Sequence, residues 1–462
     1  MEKNKPLKKL KQNGLQRRIA VSLAGVEGGA RLLTSHVTSA FYQEDKKAQA
    51  RKNALAREAT AFSQKLGELK GAYVKIGQMM ALYGDHVLPR EVTDALRQLE
   101  NQTSPMHWEA VEPQIKAALG KRFDQLAISE EAMAAASLSQ VHRAKLNRTG
   151  EELCLKVQYP GIANTIESDF NAVLQMVKLA RWVPAGSDFA NWMEEIKAML
   201  VDEVDYQREL RMTDHIATKL QHDQRFLVPK TKPRISSRTV LAMQYLEGEV
   251  VTHESIQNLS QRRRNDLAKS MLELFFKEVF EWGVMQTDPN FGNYRIQLKT
   301  SSEQPDKLVL LDFGAVRKLD PAFMQALQKT IVAAYRNDRQ RVIEGATDLH
   351  CLQANQSQTV KESFADFCIL LMEPFRKDKT QIPEYALNNR RQYKWRESQL
   401  LKRVAKLGAK SIALEGFQSP PREFALIARK LTGVFTFVTA LGAELNAYKI
   451  IDQYSNTGPS ET

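Results

Sequence analysis

Cysteine is scarce in this chain of 462 residues: only Cys154, Cys351 and Cys368 are present, and no two of them form a C-x-x-C pair. That excludes a disulfide-framed secreted domain and points to a reducing compartment. Eight histidines occur, none in an H-E-x-x-H or a paired His/Cys spacing, so zinc chemistry has no ligand set. Long hydrophobic runs are missing too. The most apolar stretch, GVFTFVTALGA from Gly433, is about half the roughly 20 residues that a membrane span needs and reads as a buried helix. The basic N-terminus leads into IAVSLAGVEGGARLL, which is amphipathic but glycine-interrupted and lacks the apolar core and cleavage site of a secretory signal. Acids are rare there, Glu2 and Glu27 being the only ones in the first 40 residues, which is compatible with a mitochondrial transit peptide. The expectation is a cytoplasmic protein with a retained N-terminal helix touching a membrane surface peripherally and no transmembrane span.

What is present is a set of oxygen ligands in a particular order. In the run MQTDPNFGNYRI, Asp288 stands five positions before Asn293, and the triplet Asp312–Phe313–Gly314 follows the apolar segment LVLL. In protein kinases a catalytic-loop Asp precedes a metal-binding Asn by five residues, and a DFG aspartate holds a second position on magnesium. Mg²⁺ is a hard cation that prefers carboxylate, amide and phosphate oxygens, so the residue types suit it. A DFG triplet by itself is a weak signal; behind an apolar strand and after D-x-x-x-x-N it is a strong one. Asp288 is therefore the candidate base, with Asn293 and Asp312 as the metal ligands.

Phosphates need a cation as well. EELCLKVQYP alternates like a strand, and Lys156 falls where the lysine of a V-A-I-K strand would, with Cys154 at the alanine position and on the same face. The expected glycine-rich loop is absent. In its place AMAAASLSQVHRAKL puts Ala134, Ala135, Ala136 and Ser137 just before a strand-like stretch. Alanine resists backbone conformations that glycine allows, so this loop should cradle phosphates differently from an ordinary kinase loop.

These stretches resemble the UbiB/AarF group of atypical, protein-kinase-like proteins linked to ubiquinone biosynthesis. The resemblance is carried by GAYVKIGQ, AAASLSQVHRA, EVDYQREL, and QTDPNFGN with LLDFGA, which cover roughly the middle two-thirds of the chain in the family's order. Lys75, Gly77 and Gln78 match its K-x-G-Q motif, Glu203 and Asp205 its E-x-D motif, and Glu209 the helix glutamate that pairs with the strand lysine. The chain departs from the pattern at Ser139, where a glycine is usual, and in its catalytic loop. The common HADPHPGN reads QTDPNFGN here, so Gln286 and Asn290 stand where histidines often do.

The resemblance implies an α+β, bilobal protein-kinase-like fold with an N-terminal helical K-x-G-Q extension packed over the active site. It implies ATP or ADP with Mg²⁺ as cofactors, Lys75 and Gln78 at the nucleotide end, and Glu203 and Asp205 pairing with Lys75. A lysine held there would occupy space that a protein substrate needs, favouring ATP hydrolysis or a small or lipid-like acceptor. From the residues themselves, 66–83 reads as one helix with an apolar stripe of Leu69, Tyr73, Ile76, Met80 and Tyr83 and with Gly71, Lys75 and Gln78 opposite.

The pattern divides the chain into a basic segment 1–50, a helical extension 51–128, a small lobe 129–248 and a helical lobe 249–462. The small lobe includes one long helix over about 188–220 and the strand TVLAMQYLEG, whose Met243 and Tyr245 would contact adenine. The net charge of +12 is concentrated. Residues 1–18 hold seven cations against one acid and residues 388–410 eight against one, which suggests an anionic partner. Tyr393 and Trp395, interleaved in the second patch, suit a membrane interface or base stacking; anionic lipids are the favoured partner, with quinone-biosynthesis proteins, over nucleic acid. The leading expectation is a Mg-dependent kinase-like ATPase or small-molecule phosphotransferase. The alternatives are a protein kinase and a non-catalytic nucleotide-regulated scaffold at a membrane.

Overall fold

The computed structural model describes residues 44–84, 87–101, 104–183, 189–288, 290–301, 303–418 and 420–455. Most of the basic segment 1–50, with its expected membrane contact, lies outside the described residues. The chain divides into two compact units: one runs up to Arg211 and includes Lys230–Tyr245, and the other comprises Met212–Pro229 and the chain from Leu246 onward.

The first unit is built on a four-stranded antiparallel sheet of Leu126–Ala135, Ser139–Leu146, Glu152–Gln158 and Val240–Gln244, in that order. Strand alternation sorts the third strand: Leu153, Leu155 and Val157 are sealed on one face, against Ile115 and Leu119 of the helix Trp108–Leu119. Cys154 and Lys156 take the other face, and Lys156 lies opposite Val141 and Leu241 in the register. Ala134 and Ala135 end the first strand, despite alanine's helix preference, because they pair with Val141 and Gln140. Pairing across the sheet overrides propensity here.

The K-x-G-Q region is two helices, Glu44–Leu69 and Ala72–Tyr83, rather than one through 66–83. The break sits at Lys70 and Gly71, with φ of 58° and 59°. Gly71 has ψ −130°, a combination that a side chain would disfavour. The second helix is buried on nearly every side, Val74 and Ala81 included, so a simple two-faced helix does not describe it. A Cβ at Gly77 would collide with Leu99 and Leu66, which is the close packing that keeps glycine inside this helix.

The single helix expected over 188–220 is also two, Phe189–Glu203 and Tyr206–Leu220. Asp205 explains the break, because its carboxylate accepts the backbone N–H of Gln207 (3.1 Å) and Arg208 (3.0 Å). An aspartate that caps a new helix competes with continuation of the old one.

The second unit is mainly helical. Gln261–Lys277 runs into a π turn, Glu278–Trp282, which leads to two short antiparallel ladders. Val284–Gln286 pairs with Val316–Lys318, and Tyr294–Gln297 with Lys307–Leu310. Asp320 caps the following helix, Pro321–Tyr335, through the N–H of Ala322 and Phe323, with proline at the first helical position where its missing N–H is harmless. The core gathers Phe275, Phe276, Phe375, Trp395 and Phe435. Tyr393 and Trp395 are 0% and 1% exposed. The expectation that they face a membrane or bases is therefore overturned: their rings pack with each other, and that of Trp395 also with Phe375 and Phe435. No helix among the described residues is long and apolar enough to cross a membrane.

Candidate active site

In the first unit the strand lysine finds its glutamate. Lys156 Nζ donates to Glu209 Oε1 at 2.7 Å and Oε2 at 2.9 Å, and lies 5.5 Å from the centre of the Tyr206 ring. Glu209 lies in the first turn of Tyr206–Leu220, so the Asp205 cap that begins the helix also sets where the glutamate stands. Lys75 Nζ donates to Glu203 Oε1 at 2.6 Å, tying the K-x-G-Q helix to the end of Phe189–Glu203. Asp205, expected to share that lysine, is instead occupied as the helix cap. Gln78 donates its Nε2 hydrogen to the carbonyl of Leu99 at 3.0 Å, anchoring its own helix to the turn Arg97–Asn101 that follows the next helix, Arg90–Leu96.

The alanine loop is the tight connection between the first two strands. Ala136 N–H donates to Ser139 O at 2.8 Å, and Tyr159 holds the loop from the third strand's end by donating its hydroxyl to Ala136 O (3.0 Å) and its N–H to Leu138 O (2.9 Å). Ser137 is buried at the tip. Met243 packs with Tyr206, Leu210, Leu241 and Cys154 on the lysine's face of the sheet. Tyr245 lies under the Arg143 guanidinium, 4.1 Å from ring centre to carbon, and donates its N–H to Glu152 O. Burial pushes the Cys154 thiol up to about 11, so it stays protonated at neutral pH.

Gln140, which follows the alanine loop, was not expected to matter. Fully buried, it donates to Met106 O (3.2 Å), accepts from Met106 N–H (2.7 Å) and meets His142 Nε2 at 2.8 Å. His142 Nδ1 then donates to Ser129 O (2.7 Å), which fixes the neutral tautomer. Burial holds the His142 imidazole below its usual range, the Ser129 hydrogen bond opposing only in part.

In the second unit the catalytic-loop residues converge. Asn293 Nδ2 donates to both the carbonyl (3.2 Å) and the Oδ2 (2.9 Å) of Asp288. Leu311 N–H donates to Asn293 O at 3.0 Å, which brings the strand before the DFG triplet against this asparagine. Gln286, in the place of a histidine, crosses between the two acids: its Oε1 accepts Asp288 N–H (2.7 Å) and its Nε2 donates to Asp312 O (3.2 Å). The Asn290 side chain accepts Gly292 N–H at 2.8 Å. Asp312 Oδ1 accepts the N–H of Gly314 at 2.9 Å. A recess of about 300 Å³, open solvent included, is lined by Asn293, Asp312, Gln286, Phe313, Glu278 and Lys430 among others.

Those last two residues were invisible to motif reasoning. Glu278 opens the π turn and Lys430 lies on the helix Arg422–Ala440, the helix expected only to be buried. Their charged atoms are 3.2 Å apart in a sealed interior, and Lys430 also donates to the Tyr294 hydroxyl at 3.2 Å. Burial opposes the ammonium, but Glu278 and Tyr294 more than compensate, so its pKa is raised and Lys430 stays charged. Glu278 Oε1 in turn accepts Gln286 N–H at 3.2 Å. The neighbouring Arg429 reaches Asp288 Oδ1 at 3.3 Å. The one signal in the sequence is a pair of cations, Arg429 and Lys430, in the middle of a largely apolar helix.

The sequence profile of the ABC1 atypical kinase-like domain fits residues 98–346, more than half of the chain. The chain belongs to this family. Among relatives of ABC1 type, the atypical kinase COQ8, mitochondrial, of Saccharomyces cerevisiae is 28% identical over 85% of this chain and 75% of its own length. The atypical kinase COQ8B, mitochondrial, of Rattus norvegicus is 28% identical over 83% of this chain and 69% of its own. The Rv3197–erythromycin complex from Mycobacterium tuberculosis superposes with a TM-score of 0.61 at 22% identity, covering 91% of this chain and all of that one, and shows the shared fold. The α+β kinase-like architecture with a helical N-terminal part thus agrees with the expectation, as does the family. An ABC1 kinase-like domain is a nucleotide-binding, phosphotransfer type of protein.

Proposed function

We propose that the chain binds ATP or ADP with Mg²⁺ and either hydrolyses ATP or transfers its phosphoryl group to a small or lipid-related acceptor. The observation that carries this is the linked set Asp288–Asn293–Gln286–Asp312. Asn293, Gln286 and Asp312 line one recess, and Asp288 is hydrogen-bonded to both Asn293 and Gln286. Asn293 gives its Nδ2 hydrogens to Asp288, so its Oδ1 is the atom left for a cation, and with Asp312 it makes an all-oxygen set of the kind Mg²⁺ accepts. Asn293 and Asp312 would hold the Mg²⁺, which would supply positive charge beside a phosphoryl group. Lys156, oriented by Glu209, would hold the α- and β-phosphates, with the Ala134–Ser137 connection near the phosphate chain and Met243 and Tyr245 near the base. Asp288 would orient, or take a proton from, the attacking water or hydroxyl.

Lys75, Gln78, Glu203 and Asp205 enter this reading on the family resemblance. Lys75 held by Glu203 would act at the nucleotide end, Gln78 and Asp205 would hold that arrangement through Leu99 and the helix cap, and a peptide substrate would be disfavoured. The division into extension 51–128, small lobe 129–248 and helical lobe 249–462 belongs to the same reading. So does the support of ubiquinone biosynthesis, together with its protein partners.

An anionic lipid surface is the proposed further partner. Lys402, Lys406 and Lys410 form an exposed row on the helix Leu400–Ile412, beside Ile412, which is 64% exposed. Burial of Tyr393 and Trp395 removes the aromatic platforms that single-stranded nucleic acid would stack on.

The deciding experiment is Mg-ATP hydrolysis by wild type and Asp312→Asn, with and without vesicles containing anionic lipid. Hydrolysis that rises on vesicles and disappears in the variant supports the reading. Nucleotide binding without turnover under both conditions would favour the regulated scaffold instead.

A further inference from the structure

The ABC1 profile ends at residue 346, yet the catalytic loop is gripped by a helix nearly eighty residues beyond it. Arg429 NH2 lies 3.3 Å from Asp288 Oδ1, while Asn293 Nδ2 holds Oδ2 at 2.9 Å. The two oxygens of the candidate base are thus divided between two partners, and a carboxylate held on both cannot turn about its own axis. The ordinary reading of a cation beside an exposed acid is a surface ion pair of little consequence. Two features argue otherwise. Lys430, next in sequence, is 1% exposed and locked by Glu278 and Tyr294, so the backbone that carries Arg429 is fixed from below. Glu278 also takes the N–H of Gln286, whose side chain accepts from Asp288 N–H, so the same helix reaches both ends of the loop segment. Arg429 and Asp288 keep 30% and 37% exposure, leaving a side of the carboxylate open to a nucleophile.

We propose that Arg429 is a positioning residue for Asp288, which makes the helix Arg422–Ala440 part of the catalytic apparatus although it lies outside the matched domain. The proposal rests on the reading of Asp288 as the group that faces the attacking hydroxyl or water. Arg429 acts through geometry: it sets the rotation of the carboxylate, and its charge accompanies Asp288 while the nucleophile's proton is drawn toward it.

The test is steady-state Mg-ATP turnover by the full chain carrying Arg429→Ala, with thermal melting measured in parallel. The expected result is a kcat about 10- to 100-fold lower, with the KM for ATP within about threefold of wild type. Guanidinium chloride at millimolar, non-denaturing concentration should restore Arg429→Ala several-fold and leave Asp312→Asn inactive. If Arg429→Ala does not fold, Arg429→Lys decides. That variant keeps the stem and charge but loses the planar fork: a lowered kcat with unchanged melting supports the role, and an unchanged kcat overturns it. Wild-type kcat in Arg429→Ala, or loss of activity in step with loss of melting and without guanidinium rescue, also overturns it. Absence of turnover in wild type overturns the functional reading and this role together, a result distinct from active wild type with equally active Arg429→Ala.

Discussion

Two lysine–glutamate pairs, one in each unit, use the same chemistry to different ends. Lys156 and Glu209 leave 17% and 2% of their side chains exposed; Lys430 and Glu278 leave 1% and 4%. In the first pair the glutamate is sealed and the lysine keeps access to solvent, so the cation can be shared with a ligand. In the second both partners are enclosed, and the ammonium also donates to the Tyr294 hydroxyl. An ion pair whose lysine is partly open can work on something else, whereas a closed one chiefly holds the structure around it. Which kind it is follows from burial of the lysine, not from the residue types or the bond lengths.

Closing the second pair off entirely should make it the costlier one to break. Lys430→Met strands a buried carboxylate, and we expect a loss of about 3–5 kcal/mol of stability, read by denaturant unfolding. Adding Glu278→Gln should recover most of that loss, because the stranded charge is removed. If the double variant is as unstable as the single one, packing rather than charge holds this site. The open pair should respond in activity instead. Glu209→Gln keeps the shape and a hydrogen-bonding oxygen, so melting should change little while Mg-ATP turnover falls about 10- to 100-fold. Equal damage to melting would put the two pairs in one class.

A smaller effect sharpens the comparison from the other side, through a buried titratable group that has no counter-ion. His142 is enclosed with Gln140 and Ser129, and burial lowers its pKa. The unfolded chain therefore takes up the proton first as pH falls. Stability is complete above the unfolded value of about 6.5 and declines below it, by at most about 1.4 kcal/mol per pH unit. Unfolding midpoints measured between pH 7.5 and 5.5 should show this slope, and His142→Gln should flatten it. An unchanged slope would mean that other groups set the acid response.

The difference between the pairs also explains what the sequence made legible. Lys156, Glu209, Asp288, Asn293 and Asp312 all sit in short stretches that match kinase motif spacings, so the sequence drew attention to all five. The Glu278–Lys430 contact joins positions 152 apart, and no ligand fixes that separation. Two helices were read as continuous because apolar periodicity runs through both breaks. The breaks are made by Gly71's backbone angles and by the Asp205 side chain taking two N–H groups, neither of which alters periodicity. Tyr393 and Trp395 were misplaced for a related reason: the cations around them suggested a surface. In the structure Arg403 pairs with Glu373, which also accepts the Tyr393 hydroxyl at 2.8 Å, so part of that basic run closes over a core.

Gln286 has a consequence of its own. An imidazole at this crossing would gain or lose a proton near neutrality, and one of its contacts would then reverse from acceptor to donor. A carboxamide has both functions permanently and does not titrate. The spacing of Asp288 and Asp312 is therefore insulated from acidification of the surroundings, and a mildly acidic compartment would leave this crossbar between the two acids intact.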